Sequence, residues 1–163
     1  MITAQLINKN NNEQGFTLIE LLIVIGILAV LMGIVLVAIN PAKQFRQAND
    51  TKRRADVNAI LNAIDQYAAD NKGSLPATLA AAPVNTTVAL KETGGVDVCK
   101  DLVTKYLAGM PADPTLSTTA GSPIMCEAGY NTGYSASVSA SDNRVTISAS
   151  SEVNPGTYIT VTR

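Results

Sequence analysis

Histidine and tryptophan are absent from the 163 residues, cysteine occurs twice, and aromatic residues make up 4% of the chain. Without imidazole there is little from which to build a metal centre or a His-dependent acid–base site. Ser, Asp and Glu are present, yet they form no general-base constellation of the usual kind. The chain reads as non-enzymatic, and no cofactor is expected. Charge is scarce too, at 15% of residues with a formal net charge of −1. That balance gives no sign of the basic surface of a generic nucleic-acid binder, so contact with nucleic acid is left without support.

Charge is scarcest in Phe16 to Ile39. Thr17 and Glu20 are the only strongly polar members of this run, which holds no Lys, Arg or His. As a helix it is roughly 36 Å long. That exceeds the roughly 30 Å hydrocarbon core of a bilayer, so the run spans one with some tilt. Glu20 stands one turn inside it, where an unpaired carboxylate costs at least about 2.5–3.5 kcal/mol. With no cation nearby, its partner is expected to be a chain terminus, another protein or a proton.

Gly15-Phe16-Thr17-Leu18-Ile19-Glu20, followed by an apolar helix, resembles the prepilin motif, or class III signal sequence, of type IV pilins and pseudopilins. The resemblance implies cleavage after Gly15 by a prepilin peptidase, N-methylation of the new terminus at Phe16, and a role for Glu20 in joining subunits. The new Phe16 amine of one subunit would meet Glu20 of a neighbour and set axial register, because opposite charges attract strongly at low dielectric. The implied partners are further copies in a helical homopolymer, the peptidase/N-methyltransferase, an assembly ATPase, an inner-membrane platform protein, and membrane lipid before assembly.

The other signal types fit less well. Residues 1–15 are short, polar and rich in Asn and Gln, as suits a processed leader. Leu36-Val37-Ala38 lacks one of the small residues of a conventional signal-peptidase site, and no Cys follows the run as in a lipoprotein. An uncleaved anchor leaves Gly15 and Glu20 unexplained. Lys43, Arg46, Lys52, Arg53 and Arg54 follow the run, whereas the leader has only Lys9. Charge bias alone therefore puts the C-terminal part in the cytoplasm. The resemblance puts the leader there and the head outside, with the protein on the cell surface after assembly.

Gly26 and Gly33, seven apart, share nearly one helix face. They mark either ordinary glycine tolerance or a place of close helix approach or local weakness. The family's kinking proline, usually a little before position 40, is replaced here by Pro41, which moves any bend toward the head. Beyond it, Val57, Ile60, Leu61, Ile64, Tyr67 and Ala68 recur at helical spacing as one apolar stripe, and Asn71-Lys72-Gly73 and Pro76 stop the helix. Joined to the apolar run, this gives about 55 helical residues, on the order of 80 Å. Lys52-Arg53-Arg54 reads as a solvated face with weak local ion pairs, a set of contacts between subunits, or a contact to anionic lipid.

Residues 74–95 read as an extended connecting loop, and Asp97 to Gly109 as a short helix. Met110-Pro111-Ala112-Asp113-Pro114 is a turn that resembles the Pro-x-Asp-Pro step before the sheet in many pseudopilins and related bacterial pilins, although Thr115 and Leu116 replace the tryptophan and glycine that often follow it in secretion pseudopilins, which weakens assignment to a secretion system. Three strands are expected, around Tyr134 to Ala140, Arg144 to Ser150 and Tyr158 to Arg163. In the compartment implied by the resemblance, Cys99 and Cys126 are expected to form a disulfide, with two buried thiols as the alternative.

The expected fold is therefore α+β, of the type IV pilin kind: a long N-terminal helix packed on a small antiparallel sheet. Its parts are a leader (1–15), a transmembrane and assembly segment (16–39), an amphipathic helical segment (40–73) and a head (74–163). Three functions remain in play: a type IV pilin serving adhesion, twitching motility or DNA uptake; a pseudopilin of a secretion or competence apparatus; and a membrane-anchored binding module that does not polymerise.

Overall fold

A computed structural model of the chain describes residues 15–116 and 123–163. The segment expected to be the leader lies outside that range except for Gly15. The chain divides into an N-terminal unit ending at Pro41 and a C-terminal unit running from Ala42 to Arg163.

In the N-terminal unit, helix α1 (Leu18–Ile39) has no buried residue. Its length and composition suffice to cross a membrane. Gly26 and Gly33 lie within the continuous helix, and a Cβ at either would meet nothing within 4 Å. The helix ends at Asn40, which adopts a left-handed conformation (φ 42°, ψ 81°). Asn tolerates this region better than most residues, and a residue preceding proline is steered away from α torsions. Helical structure therefore extends from Leu18 to Asp70 with a break at Asn40, just ahead of the proline.

Helix α2 (Pro41–Asp70) opens the C-terminal unit. Its stripe forms as the spacing predicts: Val57, Ile60, Leu61 and Ile64 are fully buried, joined by Ala63, with Tyr67 packed at the margin. The helix stops where Gly73, at φ 86°, turns its N–H back to the carbonyl of Ala68 at 2.7 Å. Only glycine takes up that torsion without strain.

Four strands, β1 (Val88–Lys91), β2 (Asn131–Val138), β3 (Val145–Ser150) and β4 (Tyr158–Thr162), form one sheet in that order, each pair antiparallel. Ser135 faces Ser148, which faces Thr160, on the outer side; Ala136, Ile147 and Val161 form the corresponding inner row. The inner side chains close the core over α2, as the alternation of small polar and apolar residues dictates.

Two expectations are corrected. The stretch 74–95 is not simply a loop: it contains a single helical turn, α3 (Ala77–Ala80), and the edge strand β1. Four residues flanked by Asn, Thr and Gly are too few to show a period, and only pairing with β2 makes them a strand. The helix expected over 97–109 shrinks to α4 (Cys99–Leu102). Val103 is extended and Thr104 has φ 72°, so the chain leaves the helix, yet Val98, Leu102 and Val103 are still buried. The apolar spacing was a burial signal, and tertiary packing satisfied it without a helix.

Candidate processing and assembly site

Gly15 and Phe16 precede α1 in non-helical conformation, and Phe16 is 92% exposed. Nothing lies within 4 Å of the place a Gly15 Cβ would occupy. Among the described residues, Gly15 and Phe16 are both exposed.

Thr17 is the N-cap of α1 (φ −78°, ψ 150°) and sets up a capping box with Glu20. The Glu20 N–H donates to Thr17 Oγ1 at 3.3 Å, and the Thr17 N–H donates to Glu20 Oε2 at 2.9 Å. The Thr17 hydroxyl adds a third bond to the same oxygen at 2.8 Å. Two of the backbone donors left over at a helix start are satisfied in this way. The positive end of the helix dipole also favours an anion at this position.

These Thr17 hydrogen bonds add to the expected charge partner of Glu20 and do not replace it. Thr17 supplies its hydrogen bonds within the same turn, and the Thr-x-x-Glu spacing was the signal that announced them. Thr17 supplies no positive charge, so the carboxylate is held in place with no cation paired to it among the described residues.

A second constellation lies in the C-terminal unit. Arg53, 2% exposed, donates from Nε and Nη2 to the two oxygens of Asp113 at 2.7 and 2.9 Å. Its Nη1 reaches Asp50 at 3.0 Å, and Nη2 also reaches Glu152 at 2.7 Å and Thr115 at 3.1 Å. Asp50 in turn accepts from the Ser151 hydroxyl and from the backbone N–H groups of Glu152 and Val153. The turn after β3 and the Asp113 turn are thereby fastened to one point on α2. Arg53 therefore does not fit any of the three roles expected of Lys52-Arg53-Arg54. Its neighbours behave as local spacing predicts, with Lys52 paired to Asp56 at 2.7 Å and Arg54 exposed.

Electrostatics in this cluster follow from burial set against donors. Burial pushes the Asp50 carboxyl up, but Ser151, the two backbone N–H groups and Arg53 outweigh it and hold it at about 2. Asp113 is held below its ordinary range in the same way: burial opposes, while Arg53 and Thr115 prevail. The Arg53 guanidinium is driven up, first by Asp113. Nearby, the Tyr134 hydroxyl donates to Asp56 at 2.7 Å, and burial raises its phenol. Gly133 (φ 78°) passes so close to Asp113 that a Cβ would lie 2.7 Å from the Asp113 Cβ.

Cys99 and Cys126 are joined in a disulfide that bridges α4 to the segment before β2. The two cysteines and the Arg53 cluster belong to the C-terminal unit and the capping box to the N-terminal unit. Among the described residues, no group of three or more Cys, Asp or Glu is arranged to hold a metal ion.

The model for the prokaryotic N-terminal methylation motif matches residues 10–36. The match takes in Gly15, Phe16, the Thr17–Glu20 capping box and most of α1. Comparison with curated proteins and with solved structures finds no match. A membrane-length apolar helix carrying this motif, followed by an amphipathic helix on a small antiparallel sheet, defines an α+β, pilin-like architecture. The chain thus carries the prokaryotic N-terminal methylation motif at the start of a pilin-like fold, which supports a type IV pilin-like prepilin.

Proposed function

We propose that the chain is the structural subunit of a type IV pilus, not an enzyme. It is cut between Gly15 and Phe16, methylated at Phe16 and polymerised through α1. The observation that carries this reading is the capping box. It fixes a carboxylate, Glu20, with no cation paired to it among the described residues, at the start of a helix with no buried residue, one turn from the exposed Gly15 and Phe16. After cleavage, the Phe16 amine of an incoming subunit meets the Glu20 carboxylate of its neighbour, and the apolar faces of α1 bury one another. Gly26 and Gly33 permit close approach there.

The division of labour follows the sequence. Residues 1–15 are the leader, 16–39 the membrane and assembly segment, 40–73 the amphipathic helical segment, and 74–163 the head. The subunit waits in the membrane with its leader in the cytoplasm and its head outside. Prepilin peptidase, the assembly ATPase and the platform protein then move it into a surface filament serving adhesion, twitching motility or DNA uptake.

A second reading is a pseudopilin of a secretion or competence apparatus. The buried Asp113 within Pro111-Ala112-Asp113-Pro114 favours it, since that turn is an anchored element of the fold. One experiment separates these readings. The N-terminal mass is measured on protein from sheared surface filaments and from membranes. A chain beginning at methylated Phe16 and abundant in the sheared fraction supports the pilin. The same chain scarce there and retained in membranes supports the pseudopilin. An intact leader in every fraction overturns processing and leaves a membrane-anchored module.

A further inference from the structure

From Leu21 to Asn49 the chain carries only two charges, Lys43 and Arg46, and both are positive. They flank Phe45, which is 71% exposed. The first eight residues of α2, 41–48, are all exposed, and Asn49 after them is bonded to Glu152 at 3.1 Å. Arg46 has no carboxylate partner among the described residues. Phe45 is an exposed aromatic ring between two cations, and among the described residues it stays largely uncovered.

We propose that Lys43, Phe45 and Arg46 form a headgroup anchor that holds the unassembled subunit to anionic lipid on the outer side of the membrane. The inference rests on α1 being inserted in a bilayer before assembly. Lys43 and Arg46 follow Ile39, the last residue of α1, by only four and seven residues, so the chain itself keeps both near the end of the apolar run. The polar headgroup layer on one side of a bilayer is roughly 5–8 Å thick. Lys and Arg stems lie along apolar surface with their charges in the headgroups, and an aromatic ring settles at the same level. Cations at that level attract anionic lipid. Lys52 and Arg53, already committed to Asp56 and to the buried cluster, take no part.

The absence of tryptophan makes this measurable. Phe45→Trp places a single tryptophan at the anchor, and Tyr158→Trp places one at an equally exposed site in β4. Each full-length variant is reconstituted in liposomes of phosphatidylcholine with or without phosphatidylglycerol. Flotation reports insertion, and quenching by brominated lipids reports depth. The expected result is a blue-shifted Phe45→Trp emission, quenched more strongly by brominated phosphatidylglycerol than by brominated phosphatidylcholine. Lys43→Gln with Arg46→Gln should remove that difference, and Tyr158→Trp should stay solvent-like. Protein that floats while Phe45→Trp stays solvent-like overturns the anchor and leaves membrane insertion standing. Shielding of Phe45→Trp in filaments alone also overturns the anchor, and would make a second copy its partner. Failure to float overturns insertion and the anchor with it.

Discussion

Arg53 and Asp113 are 60 residues apart in sequence and meet side-on, the Nε–Nη2 edge of the guanidinium against the carboxylate, through two parallel hydrogen bonds of 2.7 and 2.9 Å. This bidentate pair is the strongest kind of side-chain contact a protein makes. Here it joins α2 to the turn that leads toward the sheet.

Removing the cation leaves Asp50 and Asp113 buried without their counter-charge. Arg53→Met should destabilise the C-terminal unit by about 3–5 kcal/mol. Adding Asp50→Asn and Asp113→Asn to that variant should recover part of the loss, because the desolvated charges go with them. Urea unfolding followed by tyrosine circular dichroism reads both, since Tyr130 and Tyr134 are buried in this unit. Arg53→Lys should fall short of wild type, as an ammonium cannot make the paired contact.

Acid should weaken the same cluster. The Asp50 carboxyl is depressed from 3.8 to about 2 on folding. Its contribution is therefore complete above pH 3.8 and is lost as the pH falls through about 2. The shift amounts to about 2 kcal/mol of stability. Asp113 acts in the same direction. Stability measured from pH 5 down to pH 2 should fall less steeply in Asp50→Asn than in wild type. Parallel curves would mean that other groups carry the acid sensitivity.

The disulfide spans 27 positions. Chain-entropy arithmetic for a ring of this size gives about 3–4 kcal/mol. Cys99→Ser with Cys126→Ser should lower stability by that order. Reductant should reproduce the loss in wild type and leave the double variant unchanged.

Glu20 has two roles that substitution can separate. Glu20→Gln keeps a side chain able to close the capping box but removes the charge. Thr17→Val removes the cap, at about 1 kcal/mol, and keeps the charge. If the charge drives assembly, filament yield collapses in Glu20→Gln as in Glu20→Ala, while Thr17→Val retains most of it. Normal filaments from Glu20→Gln as the sole subunit would defeat the charge role.

Much of the fold was legible in the residues. The apolar run, the stripe on α2, its glycine stop and three of the four strands follow from period and turn chemistry, which are local. Arg53 was the largest miss, and its signal was present. It lies four residues before Val57, and Asp50 lies seven before it, so both continue the buried stripe backwards along the helix. Charge type hid what periodicity showed. The two turns that close over Arg53 come from 60 and 99 positions away, and no local rule places them. The capping box at Thr17 and Glu20 was local and readable, but attention to the cost of a carboxylate in an apolar run obscured the short-range bond that anchors it.

Asn40 has a consequence for how disturbance travels along the chain. Helix unwinding spreads because each residue's hydrogen bond holds its neighbours in place, and that cooperativity needs an unbroken ladder. At Asn40 the torsions leave the helical region, and Pro41 has no N–H to offer. The break works as a firebreak. If turns of α1 were to stretch or melt, the interrupted ladder would give that unwinding no hydrogen-bonded path into α2, and the buried residues from Asp50 onward would keep their place.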